Sequence, residues 1–154
     1  EHKAREHGSE EYLDSEKYQL RNWTATDDDL TEFIGFVNRI RRENRALQQN
    51  ATLAFHESDN ENILCYSKSA GDNVILAIVN LDPLNTHSAW LDLDLDALQV
   101  DAAKPFQVHD LLSGARHSWT GSRNYVQLNP NIVAAHIFRI RRRVRTERDF
   151  EYFL

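Results

Sequence analysis

Ile63-Leu64-Cys65-Tyr66-Ser67-Lys68-Ser69-Ala70-Gly71-Asp72-Asn73-Val74-Ile75-Leu76-Ala77-Ile78-Val79-Asn80-Leu81 holds two apolar runs split by Gly71-Asp72-Asn73, and the rest of the chain is read outward from it. Val74 to Val79 is continuously apolar and rich in β-branched residues, which predicts a strand covered on both faces or lying at a sheet centre. The run before it, Ile63–Lys68, alternates, and the Gly-Asp-Asn break predicts a tight turn between antiparallel neighbours. The same period of two recurs on both sides. Strands are expected at Thr52–His56, Ser88–Leu95, Phe106–Asp110, Ala115–Trp119, Tyr125–Leu128 and Val133–Ile140, with Pro83, Ser113-Gly114, Gly121-Ser122 and Asn129-Pro130 at the breaks. Short strands at this spacing predict a mainly β fold, an antiparallel sandwich of about eight strands. Leu91-Asp92-Leu93-Asp94-Leu95 alternates so cleanly that it predicts one strand with a wet face carrying Asp92, Asp94 and Asp96.

Upstream the period changes. Leu30, Phe33, Ile34, Val37 and Ile40 recur at helical spacing, predicting one amphipathic helix that ends near Asn44. Asp27-Asp28-Asp29 before it can cap and complement its N-terminus, while Arg39, Arg41 and Arg42 suit its C-terminal end. An apolar stripe of this kind is expected to dock. Residues 1–29 are charged and aperiodic, an extended loop rather than a domain. Three segments follow: loop and helix over 1–48, the sandwich over 49–141, and a basic then aromatic tail over 142–154.

The chain has 154 residues, 41% hydrophobic and 27% charged, with a net charge of −6. That length excludes a complete (β/α)₈ barrel, and the charge argues against nucleic acid. Nothing approaches the roughly 18 apolar residues of a membrane span, and residues 1–20 are too charged for a secretion signal. Cys65 is the only cysteine, so no internal disulfide or thiolate zinc site is possible, and a cytoplasmic setting fits. The sequence contains no Met, which suggests a piece that starts mid-protein.

Candidate chemistry is sparse, and the bland reading is favoured for most of it. Asp92, Asp94 and Asp96 read as a solvated face rather than a glycosidase pair, which needs two carboxylates across one bond. His109-Asp110 resembles a base and its orienter, but neighbours on a strand point to opposite faces. His56 and His136 have no second ligand at zinc-like spacing, so no metal is expected. Cys65 reads as a buried, inert thiol. Neither a nucleophile elbow nor a Gly-rich phosphate loop is present, so no cofactor is expected. The sequons at Asn22 and Asn50 are no more than chance supplies. Arg139 to Arg148 could engage a polyanion, but flanking acids favour self-pairing or an interdomain role. Trp90 and Trp119 could stack on sugar rings, yet large aromatics more often fill cores.

A resemblance adds what spacing does not show. Gly8-Ser9-Glu10-Glu11-Tyr12-Leu13-Asp14-Ser15-Glu16-Lys17-Tyr18-Gln19-Leu20-Arg21-Asn22-Trp23 resembles the end of the catalytic barrel in the GlgE-type α-1,4-glucan:maltose-1-phosphate maltosyltransferases of the α-amylase superfamily. Phe36 to Asn44, Val79-Asn80-Leu81-Asp82-Pro83, Val108-His109-Asp110-Leu111-Leu112 and Ala135-His136-Ile137-Phe138 extend it in order. Departures fall at Thr24 (usually Asp), Arg45 (often Pro) and Ala134 (commonly Pro).

The resemblance implies a domain of the α-amylase C-terminal type, preceded by the last barrel helix. The parent would move maltosyl from α-maltose 1-phosphate to an α-1,4-glucan with retention, in glycogen-like synthesis. Its two catalytic carboxylates would lie upstream, so no catalytic residue is assigned in this chain. Lys17 and Tyr18 match the pair that contacts the donor sugar; an ammonium and a phenol supply suitable donors and an acceptor. The sandwich would pack on the parent's barrel, with no nucleic-acid or membrane partner and a homodimer left open. The alternatives are a free-standing carbohydrate-binding sandwich, or the last domain of a related trehalose synthase or amylase.

Overall fold

The turn at Gly71-Asp72 closes the hairpin that organises the sheet. Gly71 takes φ +59°, a left-handed conformation suited to glycine, and Ala70 pairs with Asn73 across it. In this computed structural model, which describes residues 4–9, 11 and 30–142, the elements are α1 (Thr31–Glu43), a short 3-10 helix (Arg45–Gln48), β1 (Ala54–Ser58), β2 (Ile63–Ala70), β3 (Asn73–Asn80), β4 (His87–Asp92), β5 (Phe106–Asp110), β6 (Arg116–Trp119), β7 (Arg123–Leu128) and β8 (Ala135–Arg141). All pairings are antiparallel, in the order β6-β5-β8-β3-β2-β1-β4-β7. The expected eight strands are all present.

The sheet folds over at β1. Its first half, Ala54–His56, pairs with β2, and its second half, Glu57 and Ser58, pairs with β4. One strand therefore passes from one layer to the other, and the nearly closed sheet wraps a single core. Leu76, Ile78, Leu91, Leu98, Phe106, Val108, Leu128 and Phe138 fill it, each at most 2% exposed. β3 lies between β2 and β8, and its outward Ile75 and Ala77 are buried as well as its inward residues, as its unbroken apolar run requires.

The outer surface divides into three fields by strand position. Outward residues follow from the register, since alternate side chains leave opposite faces. β5, β6 and β8 present Arg116, Arg139 and Arg141, all exposed. β2 and β3 present Leu64, Tyr66, Ile75 and Ala77, and the 3-10 helix lies against these two strands. There the Ala46 amide donates to Asn73 Oδ1 at 3.0 Å, and Gln49 donates to the Ser69 carbonyl at 2.6 Å. β4 and β7 present Trp90, Asp92, Arg123 and Tyr125.

Along the helix stripe, Ile40 is buried, whereas Leu30, Phe33 and Ile34 are 67%, 55% and 53% exposed. One expectation is corrected. The strand expected over Ser88–Leu95 stops at Asp92, because the Asp94 carboxylate accepts from the Asp96 and Ala97 amides and turns the chain. Asp94 and Asp96 thus leave the wet strand face on which alternation placed them.

Residues Glu1–Glu32 and Phe33–Leu154 fall into two units. In the first, an exposed turn carries an Arg5–Glu11 ion pair of 3.3 Å. Lys17, Tyr18, the Asp27–Asp29 cap and the tail beyond Arg142 lie outside the described residues.

Candidate functional site

Polar side chains buried in the sandwich are the first candidates for chemistry, since such groups are costly unless paired. Asp110 ends β5 and is fully buried. Its Oδ2 accepts from Ser113 Oγ at 2.6 Å and lies 3.0 Å from His136 Nδ1 on β8; its Oδ1 accepts the Leu112 and Ile137 amides. Burial alone would raise this carboxyl, but hydrogen bonds from His136, Ser113 and Leu112 outweigh it and hold its pKa low, at about 2. A serine, a histidine and an aspartate thus meet. They do not form a nucleophilic triad, because serine and histidine both bond the carboxylate and neither activates the other. The cluster fastens the Leu111–Ala115 turn to β8.

His109, the other half of the suspected pair, points the opposite way, as strand geometry demands. Its Nδ1 is buried without a hydrogen-bond partner among the described residues, and burial followed by nearby Arg116 and Arg141 lowers its pKa. His56 is a satisfied core histidine: Nδ1 accepts the Asp94 amide at 3.1 Å and Nε2 lies 2.8 Å from Ser67 Oγ. Desolvation lowers its pKa, only partly opposed by Asp94, and the pattern fixes a neutral ring with the proton on Nε2. Burial pushes the Cys65 thiol up to about 12, so it is inert. No cluster of metal-ligating side chains exists among the described residues.

The other polar motif residues are also fasteners. Asn80 donates to the carbonyls of Asn85 and Leu128 and accepts the Asp82 amide. Asp82 accepts from Asn85, His87 and the Leu84 amide, which hold its carboxyl well below the usual range. Asn44 donates to the Ile40 carbonyl and accepts from Asn73, joining the end of α1 to the β2–β3 hairpin.

The two aromatic candidates separate. Trp119 faces inward, half-buried, with ring centroids 6.4 Å from Phe106 and 5.3 Å from Phe138. Trp90 corrects the core expectation: it faces outward on β4, 45% exposed, edge-on to Tyr125 at 5.4 Å. Beside it lies a cleft of about 180 Å³ bordered by Glu57, Asp59, Asp92 and Arg123. The signal was present in the sequence: Ala89 and Leu91 point inward, so Trp90 between them points out.

A family model described as "GLGE, C-terminal" matches residues 55–140, more than half of the chain. The chain belongs to the GlgE C-terminal family. Similar proteins include an α-1,4-glucan:maltose-1-phosphate maltosyltransferase of Corynebacterium glutamicum, 45% identical over 90% of this chain, and maltosyltransferase 2 of Streptomyces coelicolor, 45% identical over 88%. In each, the match covers 21% of the relative, so this GlgE C-terminal chain spans about a fifth of their length. Among solved structures, a maltogenic α-amylase of Thermotoga neapolitana superposes with a TM-score of 0.58 over 75% of this chain and 26% of its own, at 14% identity. That likeness concerns the fold alone. It agrees with the α-amylase C-terminal type expected for the sandwich.

Proposed function

We propose that the chain is the C-terminal part of an α-1,4-glucan:maltose-1-phosphate maltosyltransferase, acting in the cytoplasm in the synthesis of a glycogen-like α-glucan. The observation that carries this is the 45% identity to named maltosyltransferases across nine tenths of the chain. The carboxylates for retaining transfer belong to the part of the enzyme upstream of this chain.

Two contributions fall to this chain. Lys17 and Tyr18, outside the described residues, contact the donor sugar through the ammonium donors and the phenolic hydroxyl. The uncovered helix stripe of Phe33 and Ile34, with exposed Phe55 on β1, seats the sandwich on the catalytic barrel. Phe33 and Ile34 are neighbours on the helix, and contiguous exposed apolar side chains are the ordinary mark of an interface.

The test is Lys17→Ala in the full-length enzyme, with Michaelis constants for donor and acceptor measured separately. A rise in KM for α-maltose 1-phosphate of about tenfold, with acceptor KM unchanged, is expected for the loss of a charged hydrogen bond. An unchanged donor KM removes Lys17 from the donor site.

A further inference from the structure

The outward face of β4 and β7 carries an edge-on pair of exposed aromatic rings with no part in the core or in the helix stripe. The register sets it out in rows. Trp90 stands opposite Tyr125, and two residues along, Asp92 stands opposite Arg123 on one side and Glu57 on the other. Trp90 and Tyr125 are 45% and 50% exposed. The guanidinium carbon of Arg123 lies 5.3 Å from the Trp90 ring centre. It leans toward the ring and forms no ion pair with Asp92, which leaves the Asp92 and Glu57 carboxylates without cationic partners among the described residues.

The backbone beneath is fixed. Asp59 accepts the Trp90 amide on its carboxylate at 2.8 Å and donates its own amide to the Trp90 carbonyl at 3.2 Å, so the ring is held on a strand clamped from both sides. A pre-positioned aromatic surface loses little conformational freedom on binding.

The chemistry of the face selects its occupant. Protein interfaces exclude unpaired charges from their centres, because a desolvated carboxylate without a partner is costly. Here carboxylates sit in the rows next to the rings, which disfavours a protein cover, and their charge disfavours an anionic ligand. A neutral sugar fits both parts: its C–H face lies on an aromatic ring, and its rim of hydroxyls donates to Glu57 and Asp92 and accepts from Arg123.

We propose that Trp90 and Tyr125 form a surface platform for an α-1,4-glucan chain, a holding site in addition to the reaction centre, with Asp92, Glu57 and Arg123 meeting the sugar hydroxyls. The choice of α-1,4-glucan among neutral sugars rests on the maltosyltransferase reading above. The platform keeps a polymeric acceptor near the enzyme between transfers, raising its effective concentration without entering the chemistry.

The experiment uses the full-length enzyme. Electrophoresis through glycogen-containing gels measures retention, and maltosyl transfer is followed on glycogen and on maltotetraose. Trp90→Ala is expected to weaken retention by about three- to tenfold and to raise KM for glycogen by a similar factor, the range for losing one aromatic contact. Its KM values for maltotetraose and for α-maltose 1-phosphate are expected to stay unchanged. Trp90→Phe is expected to restore most of the retention, which a general folding defect would not permit. Unretarded wild type, or equal retention of wild type and Trp90→Ala, overturns the platform. If glycogen is retained through Trp90 but no maltosyl is transferred to any acceptor, the platform stands as a glucan site and the maltosyltransferase reading falls.

Discussion

Trp119 and Trp90 occupy strands near opposite ends of one sheet, yet they do opposite work. Trp119 on β6 turns inward and lays its ring against Phe106 and Phe138, closing the core at an open edge. Trp90 on β4 turns outward beside Tyr125, where its removal would leave the core untouched. Both lie in short strands of similar composition, and only the parity of their position separates them. The same division runs through the polar residues: Asp110, Asn80 and Asn44 point in and fasten turns, while Glu57, Asp92 and Arg123 point out and face water.

Substitutions break this comparison in order of size. Asp110→Ala is expected to cost the most, about 3–5 kcal/mol in denaturant titration, because Ser113, His136 and two backbone amides lose their acceptor inside the fold. Trp119→Ala follows, at about 2–3 kcal/mol for a ring only half-buried. Trp90→Ala is expected to change stability by less than about 1 kcal/mol. If Trp90→Ala destabilises as much as Trp119→Ala, the two faces are not distinct.

Acid sharpens the contrast between buried and exposed polar groups. His56 is held neutral with a lowered pKa, so below its ordinary value of 6.5 the unfolded chain takes up a proton that the folded chain refuses. Stability from this site is complete above that pH and declines as pH falls from 6.5 toward the folded value. Asp110 works lower: its contribution is present above the ordinary 3.8 and is lost as pH falls through about 2. Unfolding midpoints are expected to fall in two stages, and His56→Gln is expected to flatten the first. The smallest effect concerns Cys65. With its thiol raised to about 12 and buried, it should resist thiol reagents until the protein unfolds, and rapid labelling of the native chain would contradict its place in the core.

Much of this fold was legible in the sequence because local pattern and tertiary burial agree. The Val74–Val79 run became the strand covered on both faces, and Gly71 supplied the positive φ that its hairpin needs. Legibility failed where an alternating pattern outran its strand: Leu93 and Leu95 continue the period, but the Asp94 carboxylate captures two amides and ends it. It failed again where a partner lies far along the chain. Nothing local to Asp110 announces His136, 26 residues on, although both fall in motifs that resemble the family. The outward Trp90 was readable from Ala89 and Leu91 by parity, but the general tendency of tryptophan to fill cores obscured it.

The central claim is that this chain supports a sugar-transferring enzyme without holding its reactive acids. Phosphate release from α-maltose 1-phosphate with a glucan acceptor tests it most directly, measured for the 154-residue chain alone and for the full-length enzyme. The account predicts release and glucan elongation by the full-length enzyme and none above buffer by the chain alone. Turnover by the chain alone would contradict it.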